Sequence, residues 1–273
     1  MDTESLMGDP FSVRIKEKIM DTENICTLNF QFPDDSKSIR PGQFLMVWIP
    51  GVDEIPMSIS YWEPPILGIN VQPIGPATNA LVTLEKGDWI GVRGPFGSHF
   101  DLDSRDALVI GGGIGMAPLR FLTNSLLKQG THVVLLIAAR TKDDLLLYDY
   151  SSSDQLEVKF ATDDGSLGFK GFATDAAKEI IPEHSFDMIY ACGPELMMAG
   201  LFNILQDKDI PFQFSLERYM KCGCGICGTC AMDPDGVLVC IEGPVFTKSE
   251  ISRLSEFGMY SRDSTGVKKK CGH

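Results

Sequence analysis

The chain of 273 residues has no apolar run long enough to cross a bilayer. Its longest, VVLLIAA at 133–139, suits a buried strand, whereas a spanning helix needs about 20 apolar residues. Positive charge is also scarce: 24 Lys and Arg stand against 37 Asp and Glu, a formal charge of −13. That balance argues against nucleic acid and anionic membranes as partners, since both demand clustered cations. The one basic run, KKKC near the end, reads as a solvated, frayed tail. Cys271 there is third from the end, one place too late for a prenylated C-a-a-X cysteine. The opening MDTESLMGDPFSV lacks the basic start and apolar stretch of a signal peptide, so a cytoplasmic setting is expected. Histidine is sparse and scattered (His99, His132, His184, His273), and no serine or lone cysteine sits in a nucleophile motif. A base acting on an organic substrate is therefore not visible, and the chain reads as an electron relay without catalytic residues of its own.

What is present is organised in three regions of mixed β and α/β class. Up to about residue 103, FSVRIKEKI, ICTLNFQF, QFLMVWIP, ILGINVQPI and WIGVRG alternate or run apolar between turn signals such as PDDS, RPG and EKGD. This predicts an N-terminal antiparallel β-barrel over 1–103, with a brief helix at about 78–84. From 104 to 214, strands such as ALVI, HVVLLIAAR, LEVKFAT and FDMIYACGP alternate with helix patterns, which predicts a central parallel α/β domain. A small glycine- and cysteine-rich module spans 215–246, and an extension with a flexible tail fills 247–273.

The cysteines concentrate in the module: CGCGICGTC at 222–230 holds four of the chain's eight, and Cys240 follows ten residues later. Cys222, Cys227 and Cys230 show the C-x4-C-x2-C spacing of a 2Fe-2S loop, with Cys240 as the fourth ligand. The interleaved glycines let main-chain amides approach the sulfur atoms. Zinc favours separated C-x2-C pairs, and only one remains once Cys222 is set aside. Cys224 is surplus and reads as a small apolar neighbour. Pairing it with Cys227 would give C-x2-C-x2-C, closer to a four-iron spacing, so that alternative stays open.

GGGIGMAPLR follows strand ALVI and opens a helix. Gly111, Gly112, Gly113 and Gly115 clear room for a pyrophosphate at the helix N-terminus, although position 116 departs from G-x-G-x-x-G. A second loop, ACGPELMM, leaves a later strand on the same edge and places Cys192, Gly193 and Pro194 there. Cys192 is either a small strand cysteine or a nicotinamide contact.

Together PGQF, GDWIGVRGPFG, GGGIGMAP and CGPELM resemble the ferredoxin reductase superfamily, a flavin-binding barrel followed by a pyridine-nucleotide domain. With ERYMKCGCGICGTC, GVLVCIEGPVF and VDEIPMSIS, the chain is similar over about residues 10–250 to the electron transfer subunits of type B dihydroorotate dehydrogenases, particularly the archaeal form. That resemblance implies FAD, one 2Fe-2S cluster and NAD, the last chosen because of the family. It also implies a separate FMN-containing dihydroorotate dehydrogenase catalytic subunit, in a heterotetramer with two of each chain. The implied flavin contacts are Ile55, Pro56, Met57 and Ser58, then Asn70, Val71 and Gln72, then the phosphate turn at Ala77 and Thr78. Ile55 departs from the family's arginine, which removes a charge-assisted contact to the diphosphate. The loop Arg140, Thr141, Lys142, Asp143 and Asp144 carries both signs and is compatible with a ribose hydroxyl, a 2′-phosphate or neither. A ferredoxin:NADP reductase or sulfhydrogenase subunit would share the layout, and a non-enzymatic iron–sulfur sensor would need no hydride route.

Overall fold

A computed structural model describes residues 8, 10–33, 38–148, 150 and 154–271. Six strands close an antiparallel barrel in the order β1-β2-β5-β4-β3-β6. They are β1 (Phe11–Met20), β2 (Cys26–Gln31), β3 (Phe44–Ile49), β4 (Asp53–Glu63), β5 (Ile66–Val71) and β6 (Trp89–Phe96). Helix α1 (Pro76–Thr83) crosses between β5 and β6, close to the expected 78–84. In β1, buried Val13 and Ile15 alternate with exposed Ser12 and Arg14, as a strand with one wet face should. β3 does not alternate, because both of its faces are covered. Leu45 and Val47 join the barrel core, while Phe44 and Met46 point outward into the core of the neighbouring domain.

The second sheet has seven strands in the order β10-β9-β8-β7-β11-β12-β15. β7 (Asp106–Gly112), β8 (His132–Ala139), β9 (Leu156–Thr162), β10 (Phe169–Lys170), β11 (Met188–Cys192) and β12 (Phe212–Ser215) run parallel. Helices α2 (Met116–Lys128), α3 (Ala173–Ile180) and α4 (Glu195–Leu205) cover the two faces. Strand β8 shows why its sequence runs apolar: Val133, Leu135 and Ile137 face one core, and Val134, Leu136 and Ala138 the other. Burial of each such side chain contributes roughly 1.5–3 kcal/mol. α2 packs Leu119, Leu122 and Leu126 on the sheet, and Phe121 of the same helix joins the barrel core. The helix that follows the glycine turn is thus the wall between the two domains.

The cysteine module is an insertion into this sheet. It leaves β12, forms the short hairpin β13 (Ala231–Met232) and β14 (Val237–Leu238), and returns as β15 (Val245–Thr247). β15 lies antiparallel against β12, with Phe214 opposite Phe246. Ser98 of the barrel stitches the return: its Oγ donates to the Val245 carbonyl at 2.8 Å and accepts from the Val245 amide at 3.0 Å. A capping box opens the short helix α5 (Lys248–Ile251), where the Glu250 carboxylate accepts from the Thr247 amide. The tail differs from the frayed reading. Lys268–Lys270 form β17, paired with β16 (Tyr260–Arg262), and Asp233 of the module gathers Tyr260 Oη, Arg262 Nη2 and Lys268 Nζ. Charge pairing to Asp233 holds a basic run that is solvated in composition alone. His273 lies outside the described residues. Among the described residues no helix is long and apolar enough to cross a membrane.

Candidate functional site: a thiol loop, a nucleotide edge and a flavin strand

Five thiols gather here: Cys222 is in hydrogen-bond contact with both Cys224 and Cys227, and Cys230 with Cys240. Cys222 Sγ accepts the Ile226 amide at 3.3 Å and the Cys227 amide at 3.4 Å, and it is in hydrogen-bond contact with the Cys227 thiol. Cys230 and Cys240 are hydrogen-bonded to each other, and the Gly225 amide donates to Cys240 Sγ at 3.3 Å. Gly223, Gly225 and Gly228 all have φ between 69° and 79°, the left-handed region that turns amides toward the sulfurs. Burial pushes the Cys222 thiol up, but amides from Cys224 and Cys227, the Cys227 thiol and the Ile226 amide outweigh it and bring it to about 6. The Cys240 hydrogen bond draws Cys230 down to about 7, while the same contact pushes Cys240 up. A metal bound between them would take both sulfurs as thiolates and displace their protons.

Among the described residues no three His, Cys, Asp or Glu side chains gather to hold a single metal ion. A two-iron cluster asks for something else, two thiolates on each of two irons, and the pairs Cys222/Cys227 and Cys230/Cys240 supply that donor set. Cys224 is buried, and its thiol is pushed up by burial and by Cys222; it lies between Cys222 and Arg93. Arg93, which sequence reasoning passed over inside GVRGPFG, forks onto Glu54 at 2.8 Å through Nε and Nη2 and donates to the Cys222 carbonyl at 3.1 Å. Only the β3–β4 and β3–β6 pairings bring Glu54 beside it, so no local signal could have found that contact.

On the carboxyl edge of the parallel sheet, β7 and β11 end side by side, with Gly111 opposite Cys192. A Cβ on Gly115 would lie 2.4 Å from the Cys192 carbonyl oxygen and 2.6 Å from Gly193 Cα. The two loops named from the sequence therefore touch, main chain to main chain. Gly115 caps α2 without a side-chain hydrogen bond; the Met116 amide turns back onto the Gly113 and Ile114 carbonyls and Pro118 has no N–H, so Ala117 is the residue of these first three that keeps an amide for this edge. Gly113 has φ 53° with nothing within 4 Å of a built Cβ, so its side of the turn is open. Pro194 caps α4, also without a side-chain hydrogen bond. Burial pushes the Cys192 thiol up to about 12, with Glu217 adding to it, so the residue is a neutral, weakly polar surface at physiological pH. In the following loop Asp144 accepts from Thr141 Oγ1 at 2.9 Å and is committed there.

Ile55, Pro56, Met57 and Ser58 lie in succession on β4, all half-buried. Ile55 and Met57 pack against the barrel core, and Ile55 pairs with Val47. Asn70 and Val71 end β5, with Gln72 just beyond. Asn70 Nδ2 donates to Asp21 at 3.0 Å and Thr27 at 2.9 Å, while its buried Oδ1 has no partner. Thr78 Oγ1 accepts the Ile74 and Gly75 amides at 2.9 and 3.0 Å and donates to the Gly75 carbonyl, so its hydroxyl builds the turn. Ala77 is buried beneath that turn. The orphaned Asn70 Oδ1, beside a polar strand end and the start of α1, would suit the polar groups of a flavin dinucleotide.

A flavin-fitting barrel, a parallel sheet with a glycine edge and a thiol-rich loop define an iron–sulfur reductase of the ferredoxin reductase type. Residues 217–252 match the iron-sulfur cluster binding domain of dihydroorotate dehydrogenase B, and residues 109–201 match the oxidoreductase NAD-binding domain. A probable dihydroorotate dehydrogenase B (NAD(+)) electron transfer subunit of Methanothermobacter thermautotrophicus is 45% identical over 95% of this chain and 97% of its own. The corresponding protein of Methanocaldococcus jannaschii is 42% identical over 96% and 99%. Among solved structures, an NADH-dependent reduced ferredoxin-NADP oxidoreductase has a TM-score of 0.79 at 29% identity, covering 90% of this chain and 93% of that one. A ferredoxin NADP+ reductase from Neisseria gonorrhoeae with bound FAD and NADP shares the fold at a TM-score of 0.62 and 20% identity, over 73% of this chain and 92% of that one. The chain belongs to the family of dihydroorotate dehydrogenase B electron transfer subunits.

Proposed function

We propose that this chain carries electrons from the FMN of a catalytic dihydroorotate dehydrogenase subunit, through a 2Fe-2S cluster and FAD, to NAD. The observation that carries this reading is the gathering of the loop's thiols under main-chain amides, with Gly225 donating to Cys240 and Ile226 and Cys227 to Cys222. When bound, the cluster supplies single-electron transfer, and the flavin supplies exchange between single electrons and a hydride. In that arrangement Cys222 and Cys227 would hold one iron, and Cys230 and Cys240 the other. Amides aimed at the thiolates stabilise negative charge and so tune the potential. Cys227 and Ile226 are exposed, the latter by 71%, which presents that side of the loop to a partner. Gly111, Gly112, Gly113 and Gly115 receive the dinucleotide's diphosphate at the start of α2. Gly193 and Pro194 bring Cys192 against the nicotinamide side, where its neutral thiol offers packing without charge. Ser58, Gln72, the Asn70 carboxamide and the turn at Ala77 and Thr78 would hold the flavin dinucleotide, with Pro56 and Met57 as apolar walls, while Val71 contributes main chain because its side chain is in the barrel core. No arginine stands at Ile55, so the diphosphate charge falls to the amides of α1.

We assign residues 1–103 to flavin binding, 104–214 to nucleotide binding, 215–246 to the cluster and 247–273 to an extension. The assembly is a cytoplasmic heterotetramer of two subunits of each kind. Reconstitution tests the reading. The iron-loaded, flavin-loaded chain is mixed with the FMN-containing catalytic subunit from the same source, and NADH formation from dihydroorotate is followed. NADH formed only with both chains present is the expected result. A chain that reduces dyes with NADH yet forms no NADH from dihydroorotate would instead serve a ferredoxin-linked partner, the reading favoured by the 29% identical neighbour.

A further inference from the structure

A buried charge cluster lies outside the thiol loop and the nucleotide edge, yet it touches both. Arg218 stands four residues before Cys222, and its side chain is 3% exposed. Its Nη1 and Nη2 fork onto the two carboxylate oxygens of Glu195 at 2.6 and 3.0 Å, and Nε donates to Glu256 Oε1 at 3.0 Å. Nη1 also donates to the Glu217 carbonyl at 2.7 Å. Glu256 is fully buried, and its other oxygen accepts the Asp233 amide at 3.0 Å. Glu195 opens α4 directly after Cys192, Gly193 and Pro194, and Asp233 follows Cys230 by three residues. One guanidinium therefore joins the nucleotide-edge loop to the cluster loop.

The chemistry of that join is geometric. A planar guanidinium paired bidentately with a carboxylate fixes angle as well as distance, which an ammonium does not. Desolvating such charges yields little net stability, so a buried ionic net is better suited to selecting one arrangement. The surrounding packing agrees. The Gly258 amide donates to Glu195 Oε1 at 2.8 Å, and a Cβ on Gly258 would stand 2.7 Å from Ala199 Cβ, so the segment after Glu256 presses on α4. On the other side of the loop, Arg93 ties the Cys222 carbonyl to Glu54 of the barrel. The loop is clasped by one arginine toward each cofactor domain.

We infer that Arg218 is a positioning residue of the electron relay, holding the cluster loop and the nicotinamide-edge loop in one frame. The inference rests on the functional reading above, since it takes those loops to hold the cluster and the nicotinamide.

The test uses the full chain loaded with iron and flavin, as wild type, Arg218→Lys, Arg218→Met and Glu195→Gln. Stopped-flow bleaching of the flavin by NADH gives the hydride rate, and freeze-quenched EPR gives the rate of cluster reduction. Iron content and melting temperature register a merely structural role; the ratio of the two rates registers position. The expected result is iron retained in Arg218→Lys and Glu195→Gln, with cluster reduction slowed about 10- to 100-fold relative to flavin bleaching. A wild-type ratio in both variants overturns the inference, whether or not Arg218→Met folds. A wild-type chain that binds iron but never passes electrons from NADH to it removes the functional reading, and this inference with it.

Discussion

Adding one methyl group at Gly115 should separate the two loops of the nucleotide edge. Gly115 has φ −60° and ψ −14°, an ordinary helical conformation, so alanine meets no backbone strain there. The obstacle is space. The new Cβ would lie 2.4 Å from the Cys192 carbonyl oxygen, 2.5 Å from its carbon and 2.6 Å from Gly193 Cα, about 1 Å short of ordinary contact. These are main-chain atoms at the end of a strand hydrogen-bonded on both sides, and no rotamer change moves them. Overpacking of this kind costs about 1–3 kcal/mol. Each kcal/mol lowers the melting temperature by about 2–4 °C in a chain of this size class.

The functional effect should exceed the stability effect. The loop forced aside carries Cys192 and Gly193, which the proposed function sets against the nicotinamide, and displacing such an orienting group by about 1 Å costs on the order of 10²-fold in rate. Gly112→Ala is the internal comparison, because its Cβ would meet the flexible Sδ of Met197 at 2.7 Å and Pro194 Cδ at 3.0 Å. NADH-driven dye reduction, with flavin content and melting temperature measured in parallel, decides the matter. Gly115→Ala should raise KM for NADH and lower kcat with FAD retained, and Gly112→Ala should do so less. A wild-type KM and melting temperature in Gly115→Ala, or a larger defect in Gly112→Ala, would refute the reasoning.

Serine at Cys222, Cys227, Cys230 or Cys240 should abolish most iron binding, while Cys224→Ser keeps it; iron and visible absorbance are the readouts, and the reverse pattern for Cys222 and Cys224 would overturn the ligand set. Glu256→Ala leaves the buried Arg218 with Glu195 as its one carboxylate partner and should cost about 3 kcal/mol in chemical denaturation, the lower end for a broken buried pair. If the proposed flavin site holds, Ile55→Arg places a cation beside it, and one charge-assisted hydrogen bond of about 1.5 kcal/mol should tighten FAD about tenfold by equilibrium dialysis.

The barrel and the parallel sheet were legible because their signals are local. Turn residues punctuate short strands in β1 to β6, and VVLLIAA runs apolar because both faces of β8 are covered. The thiol loop was legible for the same reason, since spacing and glycines sit within nine residues. Illegible were contacts between segments far apart in the chain. Arg218 meets Glu256 across 38 residues, and Arg93 meets the Cys222 carbonyl across 129. Nothing around either arginine distinguishes it from a surface residue. The tail misled for a related reason: KKKC is solvated by composition, and only Asp233, 35 residues before Lys268, makes it a hairpin strand. Thr78 shows a finer limit, because a short helix near it was readable but the commitment of its hydroxyl to the Ile74 and Gly75 amides was not.

A relay that moves single electrons depends on separation between its sites, and this chain fixes separation by sharing cores. Met46 of the barrel points outward against Gly223, where a Cβ would come within 2.6 Å of Met46 Cγ. Phe44 and Met46 belong to the same buried cluster as Cys230, Cys240, Phe214 and Phe246. The cluster loop is thus packed into the wall between the two cofactor domains, and its chain enters and leaves through adjacent strands of the nucleotide sheet. A domain hung on a flexible linker would let separation vary with every fluctuation. Here a shift in the loop must break a sheet edge, an arginine clasp or a packed methionine, and close packing leaves no intermediate position between held and broken.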